Sequence, residues 1–365
     1  METAAYIVLG FLLVRICVAL VNLLTTYRQT SVNIISNPLV SVLIPARNEK
    51  KNIGKLLESL IKSNYGNTEV IVYDDNSSDN TADIVNHFSS SDQRIRLITG
   101  TSLPEGWQGK NYACHNLSVA AKGDYYLFLD ADINIEQNFV VHLVSVLQMH
   151  KLVLLSVFPK QKMVTPGEKI TVPVMNWMLL SLLPLFLIKS SRRPSLAAAN
   201  GQVMLFESAS YDKYSWHKKF KDNLVEDITI IREIKKAGLP AYTLVSDGQV
   251  SCRMYSSYDE GVRGFSKNVI NCLGGSMVFA LFFTMLTCFG WIPVAFSYNL
   301  FIICLYILMI ILLKIFISIN SRQSVLYNLL YHIPQMMAFL HILIMGIKIK
   351  ITGAYRWKGR YIKTE

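Results

Sequence analysis

The chain has 365 residues, a hydrophobic fraction of 52%, a mean hydropathy of +0.32 and a formal charge of +11. That length holds one large domain or two modest ones with ample core. The hydropathy excludes an ordinary soluble globule, because the apolar residues gather at the two ends, and the charge does not point to nucleic acid, because no basic and aromatic repeat lies between those ends.

In chain order, the first predicted element is the apolar run "AAYIVLGFLLVRICVALVNLL", long enough to cross a bilayer as a helix. Arg15 interrupts it and no small-residue cleavage site follows, so it reads as a retained anchor rather than a signal peptide. The organisation expected is an anchor at 1–27, a globular α/β domain at 38–250, an amphipathic interface segment at 251–275, a second apolar region at 276–347 and a basic tail at 348–365.

Within the globular stretch, the apolar run at 39–44 predicts a buried strand stopped by Pro45. Residues 52–63 put Ile53, Leu56, Leu57, Leu60 and Ile61 on one helical face, with Asn52 as N-cap. "EVIVYDD" predicts a second strand, and a helix from Thr81 turns Ile84, Val85 and Phe88 inward. "RIRLIT" predicts a third strand, 111–121 a helix and "YYLFLDAD" a fourth strand. Such alternation implies a mostly parallel sheet covered on both faces, with ligands bound outside the carboxyl ends of its strands. Three polar clusters fall at those ends: Arg47-Asn48-Glu49, Asp74-Asp75-Asn76 and Asp130-Ala131-Asp132.

The stretch 170–188 is apolar but carries Pro173 and Pro184, which favours a helix packed on the domain or lying at the membrane surface. "AAANGQVMLF" reads as a buried turn and strand, and "NLVEDITIIREIKKAG" predicts a helix led by acids with Gly238 as its C-cap. Residues 276–319 predict a hairpin of two spans broken near Trp291, and 326–347 a third span. Three crossings would place "YRWKGR" opposite the globular domain, against the preference of basic flanks for the cytoplasm. Either one stretch is re-entrant or 170–188 also crosses; the expectation is a multi-pass protein of the cell membrane with domain and tail both cytoplasmic. Tyr27-Arg28, Lys348, Lys350 and the tail then meet anionic lipid headgroups. Six cysteines without CxxC spacing read as reduced.

Residues i and i+2 of a strand point the same way, so Asp130 and Asp132 can share a divalent cation and a ribose. Their hard oxygens suit Mg²⁺ or Mn²⁺ bridging to substrate phosphates. A bare D-x-D equally reads as two solvated loop acids; its place after a buried strand, beside two other polar strand ends, separates the readings. In "VYDDNSSDNT" a strand-end acid suits a base or ribose edge, while Asp79 or Asn80 caps the next helix.

Together "SVLIPARNE", "VYDDNSSDNT", "LPEGWQGKNYACHN", "FLDAD" and "VED", in that order, resemble the family 2 glycosyltransferases with the Rossmann-like GT-A nucleotide-sugar-binding fold. "GWQGK" and the terminal "WKGRYI" are similar to the membrane-bound branch that glycosylates lipids, carotenoid-acid and hopanoid-associated enzymes in particular. The resemblance implies that Pro45, Ala46, Asn48, Glu49, Asp74, Asp75, Lys110, Asn116 and Asp130 bind the nucleotide sugar. Within that set Asp75 would contact uracil, supported by Asp74, and Lys110 would sit at the nucleotide with Asn116 nearby. It implies that Asp130 touches the ribose and, with Asp132, a Mg²⁺ or Mn²⁺ ion, and that Asp227 is the catalytic base with Glu226 beside it. "YDEGVRGFSKN" is similar to the family's Q-x-x-R-W element, with Glu260, Arg263 and Phe265 at the Gln, Arg and Trp positions and Gly264 inserted. Arg263 and Lys267 would contact the donor, and Glu260, Phe265, Trp357 and Arg360 the acceptor or phosphate; Trp357 also reads as an interfacial anchor.

The implied activity is inverting transfer of one hexose from a nucleotide sugar, a UDP-sugar, to a membrane lipid. The altered Q-x-x-R-W element weighs against the alternative, a processive polysaccharide synthase. A nucleotide-sensing membrane protein would need no base. A nucleotidyltransferase would show a Gly-rich phosphate loop after the first strand, which "PARNEKKNIG" is not.

Overall fold

The computed structural model describes residues 2–25, 35–357 and 360–363. Tyr27-Arg28 and Lys358-Gly359, both noted above, lie outside them. The chain divides into two compact units, one of Met1–Thr26, Gln161–Leu185 and Met254–Glu365, the other of Tyr27–Lys160 and Phe186–Arg253.

The elements begin with α1 (Glu2–Thr25), β1 (Val40–Ala46), α2 (Ile53–Ile61), β2 (Thr68–Asp74), α3 (Thr81–Ser91), β3 (Ile95–Thr99), α4 (Gly109–Ala120), β4 (Tyr125–Leu129) and β5 (Ile133–Ile135). Next come α5 (Phe139–Met149), β6 (Leu154–Phe158), β7 (Lys160–Gln161), α6 (Pro166–Thr171), α7 (Pro173–Leu182), α8 (Phe186–Ser190), β8 (Val203–Glu207), α9 (Ser208–Tyr214) and α10 (Trp216–Lys219). They continue with α11 (Glu226–Lys236), β9 (Ala241–Val245), β10 (Val250–Cys252), α12 (Tyr258–Ser266), α13 (Val269–Cys272), α14 (Met277–Cys288) and α15 (Trp291–Ala295). The last are α16 (Leu300–Asn320), α17 (Val325–Leu330), α18 (His332–Thr352), β11 (Ala354–Trp357) and β12 (Arg360–Lys363).

The second unit is built on a seven-stranded sheet of order β3-β2-β1-β4-β8-β6-β9. β1 pairs in parallel with β2 and β4, so Ala46 faces Asp74 and Leu43 faces Phe128. β8 is antiparallel to β4, with Val203 opposite Leu129. The carboxyl ends of β1, β2 and β4 and the amino end of β8 therefore share one rim. Behind it Val42, Leu43 and Ile44 are buried, and α2, which packs on α3 and β5, buries Ile53, Leu56, Leu57 and Leu60. Each such side chain stabilises by about 1.5–3 kcal/mol, enough to hold the rim rigid. Asn52 occupies the N-cap position of α2, but its side chain makes no cap bond and donates instead to the Glu49 carboxylate (2.8 Å).

In the first unit α1, Met277–Ala295, α16 and α18 are long and apolar enough to cross a membrane. The stretch 170–188 is not one helix: it breaks at Pro173 and Pro184 into α6, α7 and α8, and Asn22 of α1 donates to the carbonyls of Leu180 and Leu183 at the end of α7. α18 runs opposite to α14. Cys288 Sγ meets the Met336 carbonyl (3.8 Å), Phe283 and Phe339 meet edge to face (5.7 Å), and Lys350 Nζ donates to the Gly275 carbonyl (3.1 Å). α16 also runs opposite to α14, since Tyr306 neighbours Cys288 while Lys314 neighbours Arg15, whose guanidinium lies over Phe283.

α16 and α18 thus point the same way, and the chain must climb back between them. α17 does so beside α16: Asn328 Nδ2 donates to Ser318 Oγ (2.9 Å), and Gln335 Nε2 donates to Asn328 Oδ1 (3.0 Å) and to the Lys169 carbonyl (3.0 Å). These buried amides satisfy backbone and side chains where water is absent. The last helix long and apolar enough to cross a membrane begins at His332 rather than at 326.

The glycine inserted in the Q-x-x-R-W-like element has a packing reason. A Cβ on Gly264 would lie 2.0 Å from the Tyr255 hydroxyl, because Tyr255 lies against α12 and meets Phe265 edge to face (4.9 Å). Gly264→Ala is expected to displace Tyr255 and destabilise the chain by about 1–3 kcal/mol, read as a lower Tm in detergent. Glu260 is spent on the start of α12, where its carboxylate accepts from Ser256 N (2.9 Å) and Oγ (2.7 Å). Those Ser256 bonds also hold its pKa below the usual glutamate range.

Candidate active site

Asp74 closes β2 and Asp75 follows it; both are buried. Asp75 N donates to the Ala46 carbonyl (2.8 Å) and Gly100 N to the Asp74 carbonyl (2.8 Å), fixing the turn to the ends of β1 and β3. Arg47 reaches across from β1, donating to the Asp75 carbonyl (2.6 Å) with its carboxylate 3.5 Å away. Asn48, at φ 54°, donates its N–H to Ser77 Oγ (2.9 Å) and accepts from Ser78 N (2.8 Å) at its side chain. The loops after β1 and β2 are thus sewn into one wall, with Pro45 and Ala46 at its base. Asp79 rather than Asn80 serves the start of α3, accepting from Thr81 N (3.1 Å).

The centre of the rim is a knot around Lys110, near the start of α4. Its ammonium lies 2.9 Å from Asp130 Oδ1 and 3.5 Å from Glu226 Oε1, and donates to the Gly201 carbonyl (3.0 Å). Burial works against the charged ammonium, but Asp130 and Glu226 outweigh it and hold the Lys110 pKa well above the ordinary lysine value. Asp227 is fixed next to this knot: Oδ2 accepts from Gly201 N (2.9 Å) and Oδ1 from Ile228 N (2.8 Å) at the start of α11. A helix N-terminus favours acids there. Gly201 has room for no side chain without crowding, since a Cβ would stand 3.2 Å from both Glu226 Oε1 and Lys110 Nζ and 3.4 Å from Asp227 Oδ2.

Asp132 lies beyond Asp130 and accepts from Gln202 Nε2 (3.3 Å). Burial, then the charges of Asp130 and Glu49, push its pKa up to about 7. Of these two carboxylates Asp130 is paired with Lys110 and Asp132 lies beside it; their hard oxygen donors fit a divalent cation such as Mg²⁺ or Mn²⁺. Among the described residues no group of three or more His, Cys, Asp or Glu is arranged as metal ligands, so further positions would fall to diphosphate oxygens and water.

The structure therefore brings Asp74, Asp75, Asn48, Glu49, Lys110, Asp130, Asp132, Glu226 and Asp227 to one edge of one sheet. Asn116 is not delivered there by its bonding: its amide donates to the Tyr112 carbonyl of its own helix (2.7 Å). Arg263 lies on α12 and Lys267 follows it, in the other unit, with Glu260 and Phe265. Trp357 and Arg360 belong to the paired strands β11 and β12.

Sequence reading missed three residues. Gly201 and Gln202 enter from the turn before β8, and Gln202 holds the rim further by accepting at its carbonyl from Asp130 N (3.1 Å). Asn111 is fully buried, its amide nitrogen within hydrogen-bond distance of the carbonyls of Phe220 (2.8 Å), Lys221 (3.3 Å) and Asn223 (2.9 Å). It ties α4 to the segment leading into α11. Asn111→Ala is expected to cost about 1–3 kcal/mol by removing these hydrogen bonds between α4 and the segment before α11, and to lower activity with Tm by loosening Glu226 and Asp227.

A mixed α/β sheet with acids at the carboxyl ends of adjacent strands, closed by a return strand, defines the GT-A class of nucleotide-sugar folds. A mannosyltransferase from Pyrobaculum calidifontis, solved in complex with GDP-Man and Mn2+, shares this fold with a TM-score of 0.58 at 14% identity, over 95% of this chain and 98% of that one. Residues 41–214, just under half of the chain, match the Glycosyl transferase family 2 model. A 4,4'-diaponeurosporenoate glycosyltransferase of Staphylococcus haemolyticus is 27% identical over 233 residues, covering 63% of this chain and 60% of that protein, less than two thirds of its length. A beta-monoglucosyldiacylglycerol synthase of Trichormus variabilis is 30% identical over 118 residues, 32% of this chain and 25% of the synthase.

Proposed function

We propose that the protein is an integral membrane, inverting glycosyltransferase that moves one hexose from a UDP-sugar to the hydroxyl of a membrane lipid. The observation that carries this reading is the Asp227 carboxylate, anchored on Gly201 and Ile228 beside the Lys110 knot, on the rim that also bears Asp75, Asp130 and Asp132. Relatives named for a carotenoid acid and for a diacylglycerol support a lipid acceptor.

In this reading Asp74 and Asp75 receive the base, and Asp130 the ribose. Asp130 and Asp132 would hold a divalent cation, which when bound supplies charge to offset the diphosphate. Asp227 accepts the acceptor's hydroxyl proton as that oxygen forms its bond to the anomeric carbon. The bond from that carbon to the diphosphate oxygen breaks, and its electron pair leaves with the nucleoside diphosphate. Attack from the face opposite the leaving group inverts the centre. Lys110 keeps Glu226 and Asp130 in place and adds positive charge where the leaving group becomes more negative. The packing of Gly264 and Glu260 in α12, unlike a Q-x-x-R-W grip on a growing chain, supports transfer of a single sugar.

We place the catalytic domain and the tail in the cytoplasm, where Lys348 and Lys350 near the end of α18 meet anionic headgroups. The test is to incubate membranes holding the full chain with radiolabelled UDP-sugars and GDP-mannose and to extract the lipids. One glycolipid bearing a single sugar is expected from a UDP-sugar; a polymer, or no labelled lipid, would contradict the proposal.

A further inference from the structure

We propose that the fold assembles a docking surface for anionic lipid headgroups from Lys151, Lys189, Arg192 and Arg193, with Phe186 and Met149 beside them as apolar contacts. The surface lies wholly within the second unit. It rests on the reading of α1 as a membrane helix and not on the transferase chemistry.

Two stretches far apart in the chain make it. α5 ends at Met149, and His150 and Lys151 follow, Lys151 at φ 48°. Val153 N then donates to the Pro240 carbonyl (2.9 Å), which brings this corner to the loop after α11. The second stretch is α8 and the turn behind it, 186–196. α8 packs on β9, the edge strand of the sheet. Lys189 Nζ donates to His150 Nδ1 (2.9 Å), Lys235 Nζ to the Ile188 carbonyl (2.5 Å) and Thr243 Oγ1 to the Ala198 carbonyl (2.5 Å). Arg192 lies beside the loop after α11, since a Cβ on Gly238 would stand 4.0 Å from its guanidinium.

Lys151, Lys189, Arg192 and Arg193 are all exposed, and among the described residues none forms a salt bridge with a carboxylate. Glu233 of α11 is taken by Lys219 and Lys236. Basic side chains gathered without counterions attract anionic headgroups. Phe186 is 40% and Met149 49% exposed, and apolar side chains set among cations suit a lipid interface rather than a hydrated anion in water. Chain continuity points the same way. Phe186 directly follows Leu185, whose N–H donates to Asn22 Oδ1 (2.7 Å) near the end of α1, a helix long and apolar enough to cross a membrane.

Hydrogen exchange read by mass spectrometry tests this on the full-length chain in lipid discs of phosphatidylcholine, alone or with about a third phosphatidylglycerol. Backbone amides of 147–153 and 186–196 are expected to exchange at least about threefold more slowly in the anionic discs. Lys189→Gln, Arg192→Gln and Arg193→Gln together are expected to remove that difference, and Lys348→Gln with Lys350→Gln to keep it. Equal exchange in both kinds of disc overturns the proposal on the wild-type chain alone, whether or not the variants fold. Slowing that inorganic phosphate reproduces in phosphatidylcholine discs overturns the lipid as the source of the anion. Slowing that appears only at high copy number per disc overturns the headgroup as occupant in favour of a second chain. Slowing that survives the triple substitution overturns the assignment to these residues. A chain that does not enter discs at all overturns the membrane reading of α1, and this proposal with it.

Discussion

Asp227→Asn is expected to lower turnover by about 10²–10⁴-fold while nucleotide-sugar affinity stays nearly unchanged. The substitution keeps the side chain's shape but removes its capacity to take a proton. Asn retains one oxygen, so one of the two backbone donors now served, Gly201 N or Ile228 N, loses its partner. That costs about 1 kcal/mol of stability, far less than the kinetic loss. Activity and Tm should therefore separate: a severe fall in kcat with a small fall in Tm. Turnover within a few-fold of wild type would remove Asp227 from the chemistry and leave it as an acid favoured by the start of α11.

Lys110→Met should behave differently, losing activity and stability together. The methionine fills the volume of the stem but leaves Asp130 and Glu226 facing one another around Gly201 with no cation between them. One-sided removal of a fully buried pair costs about 3–5 kcal/mol. The Lys110 side chain is 36% exposed, so water screens part of this and about 1–3 kcal/mol is expected. Adding Glu226→Gln should restore much of the Tm by removing one orphaned charge, and little of the turnover. This non-additive pattern in a double-mutant cycle marks a coupled pair. Purely additive effects on Tm would show that Lys110 and Glu226 act apart.

Much of this site was legible in the sequence because a parallel sheet obliges its strand ends to share an edge. Once 39–44, 68–74 and 125–129 are read as adjacent strands, Asp75 and Asp130-Asp132 have nowhere else to go. Gly201 and Gln202 were not legible, since they arrive on an antiparallel strand from far along the chain and carry no charge. Asn111 was hidden beside the conspicuous Lys110, although a buried amide must find partners wherever it lies. In the apolar region hydropathy alone joins α17 to α18 as one span. The polar side chains Asn328 and Gln335, which satisfy a chain that turns back, are the signal that separates them.

The transferase reading rests on acids of β2 and β4 jointly holding a nucleoside diphosphate with a metal ion. Calorimetric titration of the purified full-length chain with UDP, with and without Mn²⁺, tests this most directly. Binding is expected only with Mn²⁺ in the wild type, and at least about a hundredfold weaker in Asp132→Asn and in Asp75→Ala. UDP binding that ignores the metal and survives both substitutions would contradict it.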